Sequence, residues 1–235
     1  MRSGAIKGVL FDKDGTLLDY HRTWSPINRA AAAFAASGDP ALEEKLLDLA
    51  GMDVSTGITR PDSLFAAGNT LEIAEAWGKA GCPIGVAALT EALDGLFVAG
   101  ADAAVPVTDL PRLLTRLKER GLFIGIASSD SKAAINRLVD RFMLRDLVDF
   151  IAGYDSGYGV KPEPGMLLAF CEAVGIAPAE AAVVGDNLHD MNMAAAGGAG
   201  LRVAVLTGTG SVETLGASSD ICLPGIAALE SVLRS

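Results

Sequence analysis

The chain has 235 residues, half of them apolar and a fifth charged, with a formal net charge of −10. That composition fills a hydrophobic core and excludes a disordered chain, while the negative charge argues against nucleic acid and anionic membrane surfaces as partners. No apolar run approaches the roughly 18 residues of a membrane-spanning helix.

In chain order, residues 5–11 read as a buried strand that runs into Asp12 and Asp14, with Gly15 as the turn that ends it. The N-terminal stretch has only a short apolar segment leading straight into acids, unlike a secretory leader. Ser25 then reads as a helix N-cap with Pro26 at the first helical position, followed by an alanine-rich run to Ala36. A second helix is expected over residues 40–49, with Leu42, Leu46 and Leu49 on one face. Residues 51–62 read as a polar loop, 64–79 as a third helix weakened at Gly68, and 86–98 as a fourth. Residues 20–104 are therefore expected to form a small all-helical domain.

From residue 109 the pattern changes. Helices are expected over 109–121, 131–142, 162–175, 188–198 and 225–234, with a helical turn at 211–216. Strands are expected between them, over 122–128, 148–153, 181–185, 201–208 and 220–223. Such alternation predicts an α/β fold with a Rossmann-like parallel sheet and right-handed crossovers. This core is expected to comprise residues 1–19 and 105–235. Cys82, Cys171 and Cys222 are scattered, as expected of free thiols in a reducing cytoplasm. His21 and His189 are the only histidines, which argues against a histidine-rich zinc or iron centre.

Residues at i and i+2 of a strand point to the same side, so Asp12 and Asp14 can face one site. Paired carboxylates suit a hard cation, or a nucleophile beside a proton donor. The same Asp-x-Asp-Gly is also an ordinary turn. Three further pieces fall at strand ends or helix starts: Ser128 after LFIGIA, Lys161 in GVKPEPG, and Asp186 with Asp190 in VVGDNLHD. In an open parallel sheet, ligands bind there.

With these motifs the chain resembles the haloacid dehalogenase superfamily in its phosphatase branch. The matching residues are Asp12-Lys13-Asp14-Gly15-Thr16, Ser128, Lys161, and Gly185-Asp186 with Asp190. The span between the first two motifs is similar in length to the helical cap of phosphoglycolate phosphatase-like members. The resemblance implies a Mg²⁺-dependent phosphomonoester hydrolase working through an aspartyl-phosphate on a small phosphorylated metabolite, phosphoglycolate first among them. It implies Asp12 as nucleophile and Asp14 as acid and base. Asp12, the carbonyl of Asp14 and Asp186 would hold the metal, with Asp190 as an outer ligand or a first-turn acid favoured by the helix dipole. Ser128 and Ser129 would bind phosphoryl oxygens, Lys161 would neutralise charge, and Thr16 would bond within the site and orient Asp12.

Lys13 is expected to face solvent with no chemical role. Asp130 departs from the family pattern, where a neutral polar residue is frequent, and an acid beside an anion pocket must point away. Arg60 in the 51–62 loop is the candidate for contacting a substrate carboxylate, against the reading of an ordinary surface arginine; Arg22 is a weaker one. A sugar phosphomutase and a phospho-acceptor signalling module are the alternative functions. The sequence leaves monomer and homodimer open.

Overall fold

The computed structural model describes residues 5–233. The parts of the expected core, of the N-terminal reading and of the last expected helix that fall on residues 1–4 and 234–235 lie outside the described residues.

Strand β1 (Gly8–Phe11) is buried along its whole length. The chain then leaves the sheet for five helices: α1 (Tyr20–Ala36), α2 (Pro40–Ala50), α3 (Leu64–Ala67), α4 (Thr70–Ala80) and α5 (Val86–Gly100). It returns through α6 (Leu110–Glu119) to β2 (Phe123–Ala127), α7 (Lys132–Arg141), β3 (Phe150–Ala152) and α8 (Gly165–Val174). Strand β4 (Ala181–Gly185), α9 (Leu188–Gly197), β5 (Leu201–Val205), α10 (Val212–Leu215) and β6 (Ile221–Leu223) complete the alternation.

All six strands pair in parallel, in the order β3-β2-β1-β4-β5-β6. The direction of winding reverses at β1, which makes its carboxyl end the switch point where such sheets bind ligands. Asp12 stands at that point. Alternation along β1 sends Val9 and Phe11 to one face, against Leu113, Leu117 and Ile135, and Leu10 to the other, against Met166 and Phe170. The inserted helices bury a cluster of their own around Trp77, Leu46, Leu89 and Leu93, and the alanines of α1 pack into it. The Trp77 indole satisfies its N–H on the Leu46 carbonyl at 3.0 Å.

Four local expectations are corrected. Helix α1 starts at Tyr20, capped by the Asp19 carboxylate that accepts from the Arg22 N–H, and Pro26 lies inside the helix. Burial of Tyr20, Trp24, Ile27 and Ala31 on one face offsets the hydrogen bond that the proline ring removes. The expected third helix is two helices: the backbone extends at Gly68, and Asn69 restarts α4 with a capping box to Glu72. Leu49 is 46% exposed, and α2 buries Leu46, Leu47 and Ala50 instead. The closing segment Ile226–Ser231 is a 3₁₀ helix rather than an α-helix.

Candidate active site

The site is assembled where four chain segments leave the sheet. Asp12 continues β1 by one residue, and its N–H donates to the Val184 carbonyl of β4 at 2.8 Å. Gly15 turns the chain with φ +82°; a Cβ there would lie 2.5 Å from the Asp186 carboxylate. Gly208 leaves room on another side, where a Cβ would lie 1.8 Å from Asp186 Oδ2. Asp186 directly follows β4, and its Oδ2 accepts from the Thr209 N–H at 2.8 Å. Asp190 sits in the first turn of α9, where its Oδ2 accepts from the Asn187 N–H at 3.2 Å. Ser128 follows β2; its Oγ accepts from the Asp130 N–H at 3.1 Å, which leaves the hydroxyl proton available to donate.

Lys161 ties these segments together. Its Nζ lies 2.6 Å from Asp12 Oδ1 and 2.6 Å from Asp190 Oδ1, with all three side chains almost wholly buried. Carboxylate oxygens of Asp12, Asp186 and Asp190 lie within 4.8 Å of one another. Burial raises Asp12 to about 6, against the pull of the Lys161 ammonium and with a further push from Asp190. Burial, then the charges of Asp12 and Asp190, hold Asp186 well above the ordinary carboxylate range. Among the described residues, Asp12, Asp14, Asp130, Asp186 and Asp190 thus face two ammonium groups, Lys13 and Lys161.

An excess of crowded carboxylates and an all-oxygen donor set fit a hard divalent cation. Asp12 and Asp186 could hold it directly. The Asp14 carbonyl accepts no hydrogen bond from the described residues and is free to join them. Asp190 already serves Lys161 with one oxygen and Asn187 with the other, which suits an outer position.

Lys13 is corrected outright: it is 2% exposed rather than solvent-facing. Its Nζ lies 2.8 Å from the Asp14 carboxylate and 2.9 Å from that of Asp130, and 5.1 Å above the Trp24 ring. Burial opposes the Lys13 charge, but Asp130 and Asp14 outweigh it and hold its pKa above the ordinary lysine value. Burial raises Asp14 and Asp130 while Lys13 pulls both down. Asp130 is therefore turned to Lys13, and the two charges neutralise one another. Trp24, from α1, donates its indole N–H to Asp14 Oδ1 at 2.5 Å.

A cleft with about 600 Å³ of empty space, counting its open mouth, lies over these groups. Its floor includes Asp12, Asp14, Ser128, Lys161 and Asp186, and its roof comes from α1, α3, α4 and α5. Ser129 is on the wall and donates its hydroxyl to the Ala67 carbonyl of α3 at 3.2 Å. Thr16 is not on the wall: it is fully buried behind the turn, and its hydroxyl has no hydrogen-bond partner. Arg60 is also absent from the wall. The 51–62 loop folds back on α2 through the Arg60 N–H to Gly51 carbonyl bond, and the guanidinium pairs with the exposed Asp48 at 3.0 Å. Arg22 is exposed and lies off the wall as well. His189, which carried no expectation, lines the cleft, with its pKa lowered first by burial.

The fold and cleft place the chain among open parallel α/β proteins with a carboxylate-rich centre at the strand ends. A family model for haloacid dehalogenase-like hydrolases matches residues 6–198, and the chain belongs to that family. It is 28% identical over 191 residues to the N-acetylmuramic acid 6-phosphate phosphatase of Pseudomonas aeruginosa, covering 81% of this chain and 78% of that one. It is 27% identical over 220 residues to the phosphoglycolate phosphatase of Shigella boydii, covering 82% and 79%. The crystal structure of a hydrolase from Pseudomonas syringae superposes with a TM-score of 0.70 at 19% identity, covering 97% of this chain and 99% of that one.

Proposed function

We propose that the protein is a magnesium-dependent phosphomonoester hydrolase that processes a small phosphorylated metabolite through an aspartyl-phosphate on Asp12. The observation that carries this reading is the buried contact of Lys161 Nζ with Asp12 Oδ1 at 2.6 Å, beside Asp186 and Asp190. The relatives named above are phosphatases, which supports the same reading.

Asp12 attacks phosphorus, and the ester oxygen leaves as an alcohol after taking a proton from Asp14. Asp14 then takes a proton from water, which attacks the aspartyl-phosphate and releases inorganic phosphate and free Asp12. Lys161 keeps Asp12 ionised and offsets the charge of the phosphoryl group. The Ser128 hydroxyl and Ser129 hold phosphoryl oxygens. Magnesium, bound through Asp12, Asp186 and the Asp14 carbonyl with Asp190 outside, would lower the repulsion between the carboxylate and the phosphoryl oxygens. Residues 20–104 act as a lid over a core made of residues 1–19 and 105–235, excluding water when shut. We take the enzyme to be cytoplasmic and either monomer or homodimer; among the described residues no helix is long and apolar enough to cross a membrane.

The test is phosphate release with magnesium from a panel that includes phosphoglycolate and N-acetylmuramic acid 6-phosphate, the substrates in the relatives' names. Asp12→Asn is expected to lose about a thousandfold or more in turnover while remaining folded, and Asp14→Asn about 100- to 10,000-fold. Near-normal hydrolysis by Asp12→Asn would remove that residue from the nucleophile role. Release of free phosphate also separates hydrolysis from return of the phosphoryl group to a sugar.

A further inference from the structure

The roof of the cleft has a chemistry of its own. Tyr20 and Trp24 of α1, Phe65 of α3 and Phe97 of α5 line it, and the Trp24 and Phe97 rings meet edge to face at 5.1 Å. Asn28 joins them; it is 1% exposed, and its amide nitrogen lies beside the Tyr20 hydroxyl without making a well-formed hydrogen bond. A buried amide N–H group left unpaired is costly unless something bound supplies an acceptor.

Among the wall residues Lys161 is the one lysine, there is no arginine, and Lys161 is already shared by two carboxylates. Arg60 and Arg22 are turned away from the cleft, as described above. A carboxylate carried by the departing alcohol would therefore enter an aromatic roof that offers it no lysine or arginine, above a floor whose one ammonium is already shared by two acids. A ring with C–H faces and neutral hydroxyl groups suits the same surface: its faces stack on the aromatic side chains, and a hydroxyl oxygen accepts from Asn28.

Resting on the phosphatase reading, we propose that the roof selects phosphate esters of uncharged, hydroxylated ring alcohols, with Phe97 and Asn28 as specificity-determining residues. Esters whose alcohol carries a carboxylate are disfavoured.

Two matched pairs test this, using the full chain with magnesium and phosphate release as readout. Phosphoglycolate against 2-hydroxyethyl phosphate changes charge at nearly constant size. Glucose 6-phosphate against 6-phosphogluconate adds the ring. The neutral member of each pair is expected to have a kcat/KM higher by about tenfold or more, and glucose 6-phosphate to be the best of the four. Phe97→Ala is expected to narrow the preference for glucose 6-phosphate over 2-hydroxyethyl phosphate by about tenfold. Asn28→Lys is expected to move the phosphoglycolate to 2-hydroxyethyl phosphate ratio toward the acid by about tenfold or more. Because each readout is a ratio within one preparation, partial misfolding of a variant does not imitate it. Hydrolysis that favours phosphoglycolate over 2-hydroxyethyl phosphate overturns this inference alone. No phosphate from any of the four esters overturns this inference; the phosphatase reading falls with it only if N-acetylmuramic acid 6-phosphate, run beside them, also releases none.

Discussion

Lys13 and Asp130, 117 positions apart, form an ion pair at 2.9 Å with side chains only 3% and 5% exposed. The pair joins the turn after β1 to the loop after β2, and Lys13 reaches Asp14 with the same ammonium. Lys13 thus sits behind the carboxylate assigned to acid and base work.

Removing Lys13 strands two carboxylates, whereas removing Asp130 leaves Lys13 paired with Asp14. Lys13→Met is therefore expected to cost about 3–5 kcal/mol, and Asp130→Asn clearly less. In the double variant the loss should be smaller than the sum of the two singles. Urea unfolding of the four proteins measures this; strict additivity would show that the pair is not coupled.

Stability without metal should depend on pH in a direction fixed by the acids. Asp12 is raised to about 6, and Asp14, Asp130 and Asp186 are raised too, each first by burial. Above about pH 4 the unfolded chain has released protons that the folded chain still holds. Their contribution is complete below that value and is lost as pH rises through the folded values. Asp94 is raised by burial as well; His189, lowered by burial, acts oppositely below about 6.5, as one group against these five. With a chelator present, Tm should fall between about pH 5 and 7.5, and added magnesium should restore it by binding the folded state. A Tm that climbs steadily across that range with chelator present contradicts the assignment.

Gly208 admits the Asp186 carboxylate where any side chain would collide. Gly208→Ala puts a Cβ 1.8 Å from Asp186 Oδ2 and must displace it. We expect magnesium affinity to drop about 10- to 100-fold, comparable to loss of a supporting contact at a metal site. Titration calorimetry reads this directly, and unchanged affinity would show that Asp186 is not a ligand.

Tyr154, in the loop after β3, donates its hydroxyl to Asp94 of α5 at 2.8 Å, a contact that would latch the proposed lid. Tyr154→Phe removes one partly buried hydrogen bond to a charged group. KM should rise about threefold to tenfold, with faster proteolysis in the helical insert. An unchanged KM would mean that this contact does not hold the lid.

Much of this was legible from residue order. The apolar run into Asp12, the Gly15 turn and the strand-helix alternation from residue 109 depend on short-range patterns, and they gave the sheet. Asp12, Ser128, Lys161 and Asp186 each end a strand or precede a helix, so the sheet alone brings them together. What failed depended on distant partners. Pro26 reads as a helix start until the packed face of α1 is known, and Lys13 reads as solvated until Asp130 arrives from the next strand. Arg60 looked free because Asp48 and the fold of its loop were invisible. Trp24 offered a signal, an aromatic shortly after the acids, but only the closed helices bring its indole N–H to Asp14.

The placement of β1 has a further consequence. It precedes the other described strands in the chain, yet its neighbours β2 and β4 lie more than a hundred residues later. A nascent chain halted before residue 161 carries the Asp12 carboxylate without the lysine that restrains it, and without the acids that complete the centre. On the proposed mechanism, the centre is therefore complete only once much of the last third of the chain has been made.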